Sequence, residues 1–181
     1  MTRKMLVTAA TAWSALLLAG CASSPAMTTI AVPDSLKVAD TQALSLEAKA
    51  TGVQIYQCAA AKDDASRFEW RFVAPEADLF DNDGQKIGKH YAGPTWESTD
   101  GSKVVGALQA HSDAPVAGAI PWLLLTAKST DGIGVFGLTK SIQRLQTAGG
   151  NAPADGCDQA QLGKEARVPY TAIYRFYSAK S

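Results

Sequence analysis

An all-β domain, either an antiparallel sandwich or a small barrel, is predicted by three features of this chain. Nearly every segment after Gly52 alternates with period two, the strand period in which successive side chains point to opposite faces. No stretch carries the three-to-four spacing of an amphipathic helix. The alternation is punctuated by Asp83-Gly84, Asp100-Gly101 and Asp131-Gly132, where glycine accepts the positive φ that a tight hairpin turn demands.

Taken in order, Val53, Ile55 and Gln57 alternate with Gln54, Tyr56 and Cys58, and Phe68, Trp70 and Phe72 with Glu69, Arg71 and Val73. Both segments read as half-buried strands. Hairpins follow at the Asp-Gly pairs. Ile120-Pro121-Trp122-Leu123-Leu124-Leu125 is apolar without alternation, which fits a strand covered on both sides or a short buried helix. Gly149 to Gly163, rich in Gly, Ala, Pro, Asp and Gln, reads as a long surface loop. The last strand, Val168 to Tyr177, places Tyr170, Ala172, Tyr174 and Phe176 on one face and Thr171, Ile173, Arg175 and Tyr177 on the other.

The 181 residues make one domain, 46% of them apolar, with 17 basic and 17 acidic side chains. Disorder and coiled coil are excluded by composition and period. Without net charge or a Lys/Arg run the chain lacks the footprint of a nucleic-acid binder.

The N-terminus carries a processing signal: Arg3 and Lys4 precede a short apolar run from Met5 to Leu18. Leu18-Ala19-Gly20-Cys21 resembles the lipobox of bacterial lipoproteins, which implies cleavage before Cys21 and acylation of its thiol. An ordinary signal peptide with a Cys near its cut site is the alternative. The lipobox reading makes residues 1–20 a signal peptide, 21–49 a lipidated Cys with a flexible tether, and 50–181 a single β-domain. With Ala22 rather than Asp after the lipidated residue, the expected location is the outer membrane, facing the periplasm, with the membrane as partner through Cys21.

Cys58 and Cys157 then remain as an even pair in an oxidising compartment, expected as a disulfide that ties down the long loop. Two independent buried thiols are the competing reading. With no CxxC spacing, these cysteines do not suggest a metal site.

Several blocks carry a family resemblance: GVQIYQC at Gly52 to Cys58, WRFVAPEADLFD at Trp70 to Asp81, KHYAGPTWESTDGS at Lys89 to Ser102, AIPWLLLTA from Ala119, IQRLQTAGGNAP from Ile142, and VPYTAIYRFY at Val168 to Tyr177. Together they resemble the domain of unknown function 3455 family of secreted and envelope proteins, over about Gly52 to Tyr177. The resemblance implies fold and location and transfers no catalytic role.

Chemistry concentrates between Asp78 and His111, which holds Asp78, Asp81, Asp83, His90, Glu97, Asp100 and both histidines of the chain. Gly93-Pro94 between His90 and Glu97 could fold the two towards each other, and a divalent site of His90, His111 and a carboxylate is conceivable. The spacing matches no standard ligand pattern, so a His bracing the Gly-Pro turn is the favoured reading. Asp81-Asn82-Asp83-Gly84 departs from a calcium loop in the position of its glycine and reads as a hairpin turn. Glu97, beside Trp96, is the best general acid or base, since an apolar neighbour raises a carboxyl's pKa. No GxSxG elbow and no phosphate-cradling loop is present, and no cofactor is implied.

The aromatic set Trp70, Tyr91, Trp96, Trp122, Tyr170 and Tyr174 either fills a core or lines a cavity. Trp96, after Gly-Pro-Thr, is expected in a loop as an exposed anchor or pocket wall. The leading functional reading is a binding or interaction module whose small-molecule or envelope-protein partner meets His90, Tyr91, Trp96, Glu97 and Asp100. The runners-up are a hydrolase or metal-dependent enzyme using His90 and Glu97, and a structural envelope protein. A pocket on which these residues converge favours a ligand, whereas a filled interior with a flat apolar patch favours a protein partner.

Overall fold

The computed structural model, which describes residues 30–181, folds into eight strands. They are β1 (Gln42–Ala60), β2 (Phe68–Phe80), β3 (Lys86–Tyr91), β4 (Thr95–Ser98), β5 (Lys103–Ser112), β6 (Trp122–Asp131), β7 (Thr139–Gly149) and β8 (Glu165–Ala179). Each pairs antiparallel with the next, and β8 returns to β1 from Gln42↔Ala179 to Gln57↔Glu165, closing a barrel. Between sandwich and barrel, the barrel holds. Alternation is the same in both architectures, and only the β1–β8 pairing, which removes both free edges, separates them. Bulges at Ile55/Tyr56 and Leu44/Leu46 let the long β1 bend around the wall.

The inward face mixes small and large side chains as a narrow barrel requires. Ala48, Ala50, Ala77 and Ala172 make room for Trp96, Tyr170, Tyr174 and Phe176, with Leu79, Val104, Leu125 and Ile142 between them. The predicted faces of the last strand are those observed, with Tyr170, Ala172, Tyr174 and Phe176 inside. The three Asp-Gly pairs turn β2 into β3, β4 into β5 and β6 into β7, with Gly84, Gly101 and Gly132 at positive φ. At the first, the Asp81 carboxylate accepts the Asp83 and Gln85 amides, so this segment is the hairpin turn its pattern predicts.

One end of the barrel is plugged. The β6–β7 loop dips inward to bury Phe136 against Phe176, ring centroids 4.6 Å apart. Asp100 holds the plug. Its carboxylate accepts the Ser102 amide and hydroxyl at 2.8 and 2.6 Å and the Val135 amide at 2.9 Å, while the Ser102 hydroxyl accepts the Phe136 amide at 3.1 Å. These hydrogen bonds, led by that from the Ser102 hydroxyl, hold the Asp100 pKa down to about 2. Gly134 lies so close to this carboxylate that a Cβ there would collide with it. Replacing Asp100 with Ala is expected to cost about 1 kcal/mol, discounted for its exposure, and to speed amide exchange across residues 134–138 selectively.

The folded part begins earlier than residue 50. β1 starts at Gln42, and the segment before it is a strap rather than a tether. Around a short 3-10 turn at Asp34–Leu36, Leu36 is fully buried with Ile30, Val32 and Val38 packed around the same cluster. The strap covers Trp122, Leu124 and Leu145 on the outer wall, and Gln143 Nε2 donates to the Leu36 carbonyl at 2.6 Å. The physical reason is an apolar outer face that water would otherwise meet. This also settles the unalternating Trp122–Leu125 run as a strand apolar on both sides, Leu123 and Leu125 facing the interior cluster and Trp122 and Leu124 the strap. The signal peptide, the lipobox with Cys21, and the tether up to residue 29 lie outside the described residues.

At the other end, the long loop between β7 and β8 is tied to β1 by the Cys58–Cys157 disulfide across a sequence separation of 99. The Trp70 indole donates to the Asp155 carbonyl and the Tyr56 hydroxyl to the Gly150 carbonyl. The loop is thereby held beside the barrel end.

Candidate functional site

An opening into the barrel arises from unequal strand lengths. β3 and β4 pair only from Gly88↔Ser98 to Tyr91↔Thr95, and the turn through Gly93-Pro94 ends the hairpin there. The flanking strands run on: β2 pairs with β3 no further than Ala77↔His90, and β5 with β4 no further than Thr95↔Val105. Above the hairpin tip, Phe72, Val73 and Pro75 of β2 and Ala107 and Leu108 of β5 therefore form an apolar lip. Behind it lies a cavity of about 340 Å³, within the range of small-molecule sites. Its inner wall is Trp96, Gly106, Leu123, Leu125 and Tyr174, with His90, Gln54 and Arg144 as polar members.

Gly106 lets Trp96 and Leu125 pack closely against β5, since a Cβ there would press on both. His90 stacks on Trp96 at 4.3 Å between centroids, and Tyr174 meets both rings edge-on. The imidazole Nδ1 lies 2.8 Å from the Thr95 carbonyl. Burial, aided by the nearby Arg144 charge and opposed by that hydrogen bond, lowers the His90 pKa to about 3. His90 is therefore neutral at ordinary pH, and because a carbonyl only accepts, Nδ1 carries the proton. It braces the Gly-Pro turn, as its favoured reading held.

Among the described residues, Arg144 is the one cation of the cavity wall. Its Nε and Nη2 donate to the Pro121 carbonyl at 3.1 and 2.8 Å, and its guanidinium lies beside the Tyr174 hydroxyl. Tyr174 and Tyr170, their hydroxyls 3.5 Å apart, are held neutral by burial, which raises both phenols. Among the described residues Arg144 has no acidic partner, and residues 1–29 contain no Asp or Glu. Gln54 and Trp96 also line the cavity, but the donor atoms Gln54 Nε2 and Trp96 Nε1 are themselves fully buried, without a hydrogen-bond partner among the described residues. The Gln54 amide approaches the Tyr170 hydroxyl but does not complete a bond with it.

Strand alternation divides the residues named from sequence. The turn does fold the segment back, yet it pairs His90 with Trp96 and Lys89 with Glu97, so His90 and Glu97 sit on opposite faces. The convergence needed for a paired acid and base is absent. Trp96 is not a loop anchor: it lies on β4, 1% exposed, inside the barrel. Glu97 is outside, accepting from Tyr91 Oη at 2.7 Å with Lys89 and Lys103 at 3.6 and 3.9 Å. The Tyr91 hydrogen bond, then these lysines, pull its pKa down rather than up, so the general-acid reading fails. Asp100 belongs to the plug at the opposite end. His111 is exposed on β5, and among the described residues no three His, Cys, Asp or Glu side chains are grouped to hold a metal ion. Of the candidate set, His90 and Trp96 reach the cavity. Arg144 and Gln54 were missed, although period two already put them in phase with the buried Ile142 and Tyr56.

The family model described as protein of unknown function (DUF3455) matches residues 39–178, from just before β1 to the end of β8. The chain belongs to this family. Its matched span encloses the whole barrel, the cavity and both cysteines. No curated protein and no solved structure matches the chain.

Proposed function

We propose that this family member is a small-molecule-binding module of the cell envelope, held at the membrane through a lipid on Cys21, with the barrel cavity as its binding site. The observation that carries the reading is the notch left by the short β3–β4 hairpin. It opens an apolar cavity that has the Arg144 cation in its wall. A packed barrel of this size fills its interior with side chains, whereas here the shortened hairpin leaves a cavity in the wall. The charged start, apolar run and lipobox-like Leu18 to Cys21 support the envelope location, and a disulfide is consistent with an oxidising compartment.

The lip supplies the test. Leu108 is 61% exposed, so Leu108→Glu is expected to leave the melting temperature within about 2 °C of the parent. The same change puts a charge where an apolar ligand enters, and is expected to weaken binding of 1-octanol about tenfold, measured by titration calorimetry. Unchanged affinity in a folded variant would place the ligand elsewhere.

A further inference from the structure

The polar groups of the cavity favour one chemical class of ligand, and this inference rests on the cavity being the binding site. We infer that the cavity takes an organic anion with an apolar body, a carboxylate whose head meets Arg144 and whose tail runs out over Phe72, Val73 and Leu108. Arg144 is always charged, and the fold supplies one neutral carbonyl, Pro121, and a phenol, but no carboxylate, to answer it. The guanidinium is half-buried beside Leu123, Leu125, Trp96 and Tyr174 with no carboxylate partner among the described residues, so an anion that enters the cavity can pair with it through charge-assisted hydrogen bonds.

The neighbouring groups agree in sign. His90 carries no charge, so its contribution is a flat, neutral wall stacked on Trp96. Neither Asp nor Glu lines the cavity, leaving nothing there to repel a carboxylate or to hold a cation. The lip residues Phe72, Val73 and Leu108 are all more than half exposed, an apolar strip continuous with the opening that the ligand's hydrocarbon part would cover.

The test titrates the purified full-length protein with octanoate, 1-octanol and octylammonium at pH 7.5, three probes of one tail and three head groups. Octanoate is expected to bind at least about tenfold more tightly than 1-octanol, and octylammonium more weakly than either. Arg144→Gln should remove the octanoate advantage while leaving 1-octanol affinity within about twofold, Arg144→Lys should keep part of it, and Arg167→Gln, which changes an exposed cation paired with Glu76, should leave all three affinities unchanged. Equal binding of octanoate and 1-octanol to the parent protein overturns the anion inference while leaving the cavity reading intact; failure of all three to bind overturns both. An equal loss of octanoate binding in Arg167→Gln also overturns it, since surface charge would then account for the preference. If Arg144→Gln does not fold, the parent preference and Arg144→Lys carry the decision: no octanoate preference in either is a negative result.

Discussion

Replacing both Cys58 and Cys157 with Ser is expected to lower the stability of the domain by about 4 to 5 kcal/mol, the chain-entropy value for a loop of roughly 100 residues. The bridge spans a sequence separation of 99, close to the largest restraint a chain of this length can carry. For a domain of this size the change corresponds to a melting temperature lower by roughly 10 to 20 °C. The loss should also be local in character. Between Gly150 and Lys164 the β7–β8 loop is otherwise fixed by a few hydrogen bonds, those of Tyr56 and Trp70 among them, so limited proteolysis should cut the variant there first. Chemical denaturation of the oxidised parent against the double variant measures the size, and equal midpoints would contradict the estimate.

The second large effect is a dependence on pH. The folded pKa of His90 is lowered by burial to about 3 from its ordinary value of 6.5, so the unfolded chain binds a proton that the folded protein refuses. Stability from this group is therefore fully present well above pH 6.5 and is lost as pH falls through 6.5 towards 3. At 1.36 kcal/mol per unit once the unfolded histidine is protonated, the loss at pH 4.5 relative to high pH comes to roughly 2 to 3 kcal/mol. Lowered carboxylates such as Glu97 and Asp100 act in the same direction, but below about pH 4.5, because their unperturbed values lie at 4.5 and 3.8. His90→Gln is less stable at pH 7.5, having lost the stack on Trp96, yet its stability should be nearly flat between pH 6.5 and 4.5. Parallel pH profiles for parent and variant would show that His90 is solvated.

Much of the fold is legible in the chain because a strand writes its two faces directly into the sequence. Tyr170, Ala172, Tyr174 and Phe176 read as one face and form one face, and each Asp-Gly pair marks a real turn. Closure was not legible: whether β8 returns to β1 depends on a pairing between segments more than a hundred residues apart, which local pattern does not encode. The strap escaped notice because Ile30, Val32, Leu36 and Val38 are few and scattered, and become informative only beside the apolar outer face of β6 and β7.

The site was legible in half. Residues 89 to 102 read as the stretch richest in chemistry, but neighbours in sequence do not converge in space. Period two sends neighbours apart, so His90 and Trp96 face the cavity while Tyr91 and Glu97 face outward. The same rule applied to Gln143-Arg144 puts a cation on the inward face with Ile142, a break in the apolar pattern of the kind that marks functional positions. The cavity itself depends on β3 and β4 being shorter than their neighbours, a difference in strand ends, which are the least readable part of any sequence pattern.

The central claim, that the barrel interior is a ligand site, is tested most directly by native mass spectrometry of the full-length protein purified from the cells that make it, compared with its mass after denaturation. The cavity reading predicts a small organic molecule that travels with the folded protein, is released on denaturation and is depleted in Leu108→Glu. A native mass equal to the denatured mass, and unchanged after incubation with octanoate and 1-octanol, would contradict it.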